Sequence, residues 1–247
     1  MVTQLETALY TAEELRKRVL ALKPAVAVFD CDGTLWDGDA GLGFMNWTLE
    51  EGIVSRSTSD WIDSRHRAYR AGDVSEMKIC GEMVQIYAGL REAELRAAAA
   101  RYVGEFVTPR IFAEIAALVA ELREAGTQLW AVSSTNKWVI VEGVRQFGIA
   151  EDRVLAAEVA VSDGIITSDI VDVPTDEGKA AALARVGLAR PDAVFGNSIH
   201  DLAMLEVAAH AFPVNPSPAL VEAAARHGWT CFRPAGAAMP LSDTTGS

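Results

Sequence analysis

The run Ala25-Val26-Ala27-Val28-Phe29-Asp30-Cys31-Asp32-Gly33-Thr34-Leu35 constrains this chain more than any other part of it. Its apolar first half reads as a strand buried on both faces, as in a parallel sheet. Two aspartates follow, two positions apart, so strand geometry directs both side chains to one face. Cys31 between them then points the other way, into the core. Gly33 lets the chain turn sharply. Two carboxylates thus leave the carboxyl edge of a sheet together, where open α/β folds place their ligand crevices. Converging acids repel unless a cation or a proton lies between them. The pattern points to a Mg²⁺ site with one carboxylate free to act as a nucleophile.

The rest of the sheet is legible in the same way. Residues 127–132 and 193–195 are further apolar strands, with shorter ones over 211–214 and 230–232. Asp163-Gly164, between β-branched runs in 153–173, reads as a hairpin turn. Helices are expected over 3–21, from Thr108-Pro109 to Gly126, from Ser133 to about Phe147, over 177–186, and around Leu202, Leu205 and Val207. Residues 40–105 carry helical spacing and no convincing buried strand. There Thr58-Ser59-Asp60 can cap one helix, and Asp73 or Ser75 another that contains Met77, Cys80, Val84 and Tyr87 and stops near Gly89. Alternating strands and helices predict a doubly wound, Rossmann-like, mostly parallel α/β core over 1–39 and 106–247. An α-helical cap domain is inserted over 40–105. Gly38, Gly41, Gly43 and Gly104 read as hinges at its edges, and Asp243–Ser247 as a loose tail.

With 247 residues, half of them hydrophobic, the chain can bury a sizeable core. A formal net charge of −12 argues against nucleic acid or an anionic membrane as partner. It does not argue against phosphate, because a bound divalent cation reverses the local field. No apolar run reaches the length of a membrane span, and Glu6, Glu13 and Glu14 interrupt any signal-peptide pattern. Cys31, Cys80 and Cys231 form neither a disulfide framework nor a zinc spacing. The expectation is a cytoplasmic monomer or homodimer that acts on a small molecule.

Polar residues also follow the other strands. Ser133 and Ser134 come after the second, at an expected helix start, and Lys179 lies near the start of another helix. Asn197, Ser198 and Asp201 follow the third. Helix N-termini offer N–H groups and partial positive charge to a phosphate. Ser133 adds a hydroxyl, and Lys179 can neutralise both a phosphoryl oxygen and the nucleophile. Asn197 and Asp201 supply oxygens for a hard cation or for its waters. Each has a plainer reading too: Ser133 as a cap, Lys179 as a solvated lysine, Asp201 as a first-turn acid, and His200 as a surface or capping residue.

On Asp30-x-Asp32-Gly33-Thr34, Ser133, Lys179 and Gly196-Asn197-Ser198-x-x-Asp201, in that order, residues 25–215 resemble the haloacid dehalogenase superfamily of phosphatases. The pattern is that of the phosphoserine-phosphatase-like branch with a helical cap. The resemblance implies Mg²⁺-dependent hydrolysis of a small phosphomonoester. Asp30 would attack phosphorus and become an aspartyl phosphate, and Asp32 would protonate the leaving oxygen and then activate water. Asp30, the main-chain carbonyl of Asp32 and the Asn197 position would surround Mg²⁺, with Asp201 compensating directly or through water. Gly33, Thr34, Ser133, Ser134 and Lys179 would hold the phosphate.

Two departures stand out. The family usually has aspartate at position 197, and a neutral amide there lowers affinity for a hard cation. This keeps open a phosphate-binding or regulatory protein with a weakened metal site, beside a phosphotransferase or mutase that uses the same intermediate. Dehalogenation fits Asp32-Gly33-Thr34 less well. The second departure concerns substrate. Asp39 falls where phosphoserine-specific members keep an acid, but Met77–Leu90 holds no arginine, and Lys78 is its only basic residue. That argues against phosphoserine. Asp37 and Asp39 near Trp36, Trp47 and Trp61 could instead hold an amine-bearing ester such as phosphoethanolamine or phosphocholine. The plainer reading puts the tryptophans in the cap core.

Overall fold

The computed structural model describes residues 9–238. The first residues of the helix expected from position 3, and the tail Asp243–Ser247, lie outside the described residues. The described residues open with β1 (Leu9–Tyr10), α1 (Ala12–Leu22) and β2 (Val26–Phe29). Four helices follow: α2 (Ala40–Glu50), α3 (Arg56–Arg70), α4 (Glu76–Gln85) and α5 (Glu92–Tyr102). Then come α6 (Ala113–Glu124), β3 (Gln128–Asn136), α7 (Lys137–Arg145), β4 (Val154–Ser162), β5 (Ile165–Asp172) and α8 (Glu177–Arg185). The last elements are β6 (Ala193–Gly196), α9 (Leu202–Val207), β7 (His210–Pro213), α10 (Pro218–His227) and β8 (Cys231–Phe232).

Six strands form one sheet in the order β5-β4-β3-β2-β6-β7, parallel except for β4 with β5. From β2 the chain goes first to β3 on one side and later reaches β6 on the other. The loop after β2 therefore sits at the switch point of a doubly wound sheet. Side chains of β2 alternate as strand geometry requires. Val28 packs with Val132, Val194 and Leu205 on one face, while Ala27, Phe29 and the buried Cys31 join the larger cluster on the other. Phe29, Phe195 and Phe212 stack across three strands, with centroids 4.4 and 5.0 Å apart.

The larger cluster runs on into the helical segment through Phe44, Trp47, Ile62, Tyr87 and Tyr102. The β4–β5 hairpin ties that segment down. It turns at Asp163 (φ 51°) and Gly164 (φ 76°), as a two-residue hairpin with positive φ at both positions requires. Gly89 N donates to Ile166 O at 2.8 Å and Glu92 N to Gly164 O at 2.9 Å. No helix among the described residues is long and apolar enough to cross a membrane.

Several local expectations are corrected. Helix α1 starts late, at a Thr11–Glu14 capping box, because Leu9 and Tyr10 pair with β8. Ser55, not Thr58, caps α3, while Ser75, one of the two expected candidates, does cap α4. Thr108-Pro109 forms only a 3₁₀ turn, and α6 waits until Ala113. The main chain between them is drawn to the loop after β2: Asp37 N donates to Arg110 O at 2.9 Å and Phe112 N to Leu35 O at 3.0 Å. Strand β3 continues through Ser133 to Asn136, whose Oδ1 caps α7 by accepting from Val139 N at 3.1 Å. Gly41 and Gly43 lie inside α2 and are packing positions rather than hinges. A Cβ on Gly41 would fall 2.5 Å from Thr135 Oγ1, and one on Gly43 2.0 Å from the Tyr102 hydroxyl.

Candidate active site

The site grows from the end of β2. Asp30 N donates to Phe195 O at 2.9 Å, which keeps its main chain in register with β6. The chain then folds back, with Thr34 N and Leu35 N donating to Cys31 O at 3.1 and 2.8 Å. Gly33 takes φ +75°, and a Cβ there would lie 2.0 Å from Asn197 Nδ2. Only glycine lets the loops after β2 and β6 meet this closely.

Asp30 is 5% exposed. Its Oδ1 accepts from Lys179 Nζ at 2.7 Å and its Oδ2 from Thr34 Oγ1 at 2.9 Å. The same Lys179 Nζ donates to Asp201 Oδ1 at 2.5 Å. The other oxygen of Asp201 accepts from Asn197 N at 2.8 Å and Ser198 N at 2.9 Å. Burial pulls the Lys179 pKa down, but Asp201 and Asp30 outweigh it and hold the ammonium well above the usual lysine range. Asp30 moves from an ordinary 3.8 to about 7, because burial and then the Asp201 charge outweigh Lys179. One ammonium shared by two buried carboxylates leaves the pocket with excess negative charge.

Asp32 is held by three donors. Trp36 Nε1 at 2.6 Å and Ala40 N at 2.8 Å reach Oδ1, and Thr135 Oγ1 at 2.7 Å reaches Oδ2. Burial, then Asp39, still raise its pKa to about 6. That range suits a carboxyl that must give and take a proton near neutral pH.

A cleft of about 650 Å³ separates the helical segment from the carboxyl edge of the sheet. Asp30, Asp32, Gly33, Asp39, Ser133, Ser134, Lys179 and Asn197 all line it. Thr34 and Asp201 are fully buried behind the lining and act on Asp30 and Lys179. Asp201 is thus not a surface first-turn acid: it is buried, with Oδ1 on Lys179 and Oδ2 on the main chain after β6. Ser133, 2% exposed, sits within β3 rather than at a helix start, and its Oγ accepts from Thr135 N at 3.1 Å. His200 is not a surface residue. It is half-buried at the cleft with Nδ1 2.7 Å from Asp176 Oδ1.

The tryptophan cage is also corrected. Trp36 is buried and serves Asp32, Trp47 lies under the Arg101 guanidinium at 5.1 Å, Trp61 is exposed, and none of the three lines the cleft. The helical segment does place an arginine at the cleft. It is Arg70 of α3, upstream of Met77–Leu90, so the lack of arginine in that stretch says nothing about substrate. Sequence reasoning passed over Thr135, although it lies two positions from Ser133 on one strand face. It also passed over His66, Tyr69, Arg70 and Glu76, which line the cleft from α3 and α4.

Among the described residues, no three His, Cys, Asp or Glu side chains converge as a metal cluster. The donors the resemblance implies are instead one carboxylate (Asp30), one main-chain carbonyl (Asp32) and one amide (Asn197). All are hard oxygen donors beside an excess of negative charge. The residues fit a cation such as Mg²⁺ that keeps several of its waters.

A doubly wound α/β sheet thus gathers two switch-point acids and a buried lysine at one cleft. The pattern of the haloacid dehalogenase-like hydrolases matches residues 27–206, and the chain belongs to that family. A probable phosphatase of Mycobacterium tuberculosis is 26% identical over 213 residues, covering 82% of this chain and 73% of that protein. A Bordetella pertussis protein of unknown function shares the fold with a TM-score of 0.75 at 22% identity, over 84% of this chain and 97% of the other. A substrate-bound phosphoserine phosphatase shares it with a TM-score of 0.57 at 16% identity, over 85% and 92%.

Proposed function

We propose that this protein hydrolyses a small phosphomonoester, with Mg²⁺ as cofactor and Asp30 as nucleophile, in a reducing cytoplasm where its three buried thiols stay free. The observation that carries the reading is the buried Asp30–Lys179 contact of 2.7 Å at the floor of the cleft, with Asp32 two residues on. Family membership and the probable phosphatase among the relatives support it.

In the first step an Asp30 oxygen forms a bond to phosphorus as the bond to the leaving oxygen breaks, and that oxygen takes the Asp32 proton. In the second, Asp32 takes a proton from water, the water oxygen attacks phosphorus, and the Asp30 carboxylate is released. Lys179 offsets charge on Asp30 and on a phosphoryl oxygen, and the Ser133 hydroxyl can donate to another. Asp201 and Thr34 position Lys179 and Asp30. Trp36 and Thr135 keep Asp32 aimed. Mg²⁺, held by Asp30, the Asp32 carbonyl and Asn197, would supply positive charge to the transferring group.

The test is phosphate release from a panel of phosphomonoesters that includes p-nitrophenyl phosphate, with Mg²⁺ and with EDTA. Release should need the metal and fall to background in Asp30→Asn. Undiminished release by that variant, or none from any ester by the native chain, would sink the reading.

A further inference from the structure

Asn215 lines the cleft from the turn between β7 and α10 and is 4% exposed. Its Oδ1 is buried and has no hydrogen-bond partner among the described residues. Buried polar atoms are nearly always paired, so an orphan in the wall of this cleft points to a group that binds there.

The turn is not free to swing and find Oδ1 a partner. Val214 N donates to Gly196 O at 2.8 Å, Asn215 N to Phe232 O at 2.7 Å and Ser217 N to Asn197 O at 2.7 Å. Ser217 Oγ accepts from Leu220 N at 3.4 Å and so ties the turn to the start of α10. Pro216 and Pro218 stiffen the chain after Asn215. Asn215 itself takes φ 45°, a left-handed conformation that asparagine and aspartate tolerate better than most side chains. The clamped turn holds residue 215 beside the loop after β6, because its neighbours at 214 and 217 bond to the carbonyls of Gly196 and Asn197.

Acceptor chemistry selects the occupant. An amide oxygen pairs with an N–H or O–H donor or with a cation. A phosphoryl group presents acceptor oxygens, so it leaves Oδ1 unpaired. The waters that Mg²⁺ keeps are donors, and a contact made through such a water is nearly as good as a direct one. The neighbouring Asn197 is itself neutral, so the cation depends more on what surrounds its waters.

We propose that Asn215 is a positioning residue of the cation site, with Oδ1 accepting a hydrogen bond from a water that the cation retains. It anchors the hydration shell from the β7 side and offsets part of the charge that Asn197 lacks. The inference rests on the cation of the proposed reaction and is independent of which ester is cleaved.

The test is calorimetric titration with Mg²⁺ in the absence of substrate, beside thermal melts of the metal-free protein. Asn215→Gly keeps the left-handed turn and removes the acceptor. It should weaken Mg²⁺ binding about tenfold or more, as loss of an outer partner of a metal site does. The metal-free melting temperature should change little, since the deleted oxygen has no partner there. Asn215→Asp keeps both the turn and the acceptor and adds charge, so it should bind Mg²⁺ more tightly than the native chain. A residue that only shapes the turn would weaken binding in both variants and lower both metal-free melting temperatures, which overturns the proposal. So does native Mg²⁺ affinity in Asn215→Gly, or a loss confined to the affinity for inorganic phosphate. Should Asn215→Gly fold poorly, Asn215→Asp decides alone: tighter binding supports the proposal, and unchanged or weaker binding refutes it. Absence of Mg²⁺ binding by the native chain would sink the cation reading and this inference together. Metal binding that Asn215→Gly weakens, in a chain that hydrolyses no ester, would sink the phosphatase reading and leave the inference standing.

Discussion

Lys179 holds two carboxylates at once, 2.7 Å from one and 2.5 Å from the other, in a place water barely reaches. Neutralising one carboxylate leaves Lys179 balanced by the other and forfeits a hydrogen bond to a charged group, at a cost of about 1.5–3 kcal/mol. Asp201→Asn should therefore lower unfolding free energy by that order, read by urea denaturation, and should lower kcat as Lys179 loses its anchor. A loss of activity with unchanged stability would mean that Asp201 acts elsewhere. Asn197 makes the opposite prediction. A carboxylate there adds charge to a site built of one carboxylate and two neutral oxygens. Asn197→Asp should lower the half-saturating Mg²⁺ concentration by about tenfold, the equivalent of ~1.4 kcal/mol. Calorimetric metal titration and the metal dependence of turnover would both report it.

Helix α2 is positioned by what it lacks. Gly43 lets the helix close on the Tyr102 hydroxyl, and a methyl group there would stand 2.0 Å from it. Gly43→Ala should cost about 1–3 kcal/mol through overpacking. The loss should be smaller in a Tyr102→Phe background, where the obstructing oxygen is gone, and a double-mutant cycle of thermal melts checks this. The same packing explains why helix boundaries here were harder to read than helix existence. The sequence 108–112 has good helix-start chemistry, yet its main chain bonds to the loop after β2 instead. A tertiary hydrogen bond outweighs a weak local preference.

The pocket as a unit carries a pH dependence. Asp30 and Asp32 have folded pKa values of about 7 and about 6, above the ordinary 3.8. A carboxyl raised in this way favours the folded state while both states are protonated. It loses that contribution as pH rises from its unfolded toward its folded pKa, because only the unfolded chain releases the proton early. Without metal, the melting temperature of the native protein relative to Asp30→Asn should fall between about pH 4 and pH 7 and then level off. Mg²⁺ at pH 7.5 should recover part of the loss. A native-minus-variant difference that is flat or rises over that range would contradict the assignment.

Much of this molecule is written in local pattern. An apolar run, two acids at strand spacing and a glycine predict the central strand, its switch-point loop and a buried Cys31. The order of Ser133, Lys179 and Asn197 predicts which strand ends converge. These features depend on near neighbours in the chain and on strand periodicity, so they survive without knowledge of what packs opposite. The places of Asp201, Trp36, Thr135, His66 and Glu76 are different. Each depends on a partner or a wall brought from elsewhere in the chain or by a turn, and a polar residue has the same spacing whether its face meets water or a cleft. Only the packing of α2 to α5 over the sheet edge turns one such face toward the cleft.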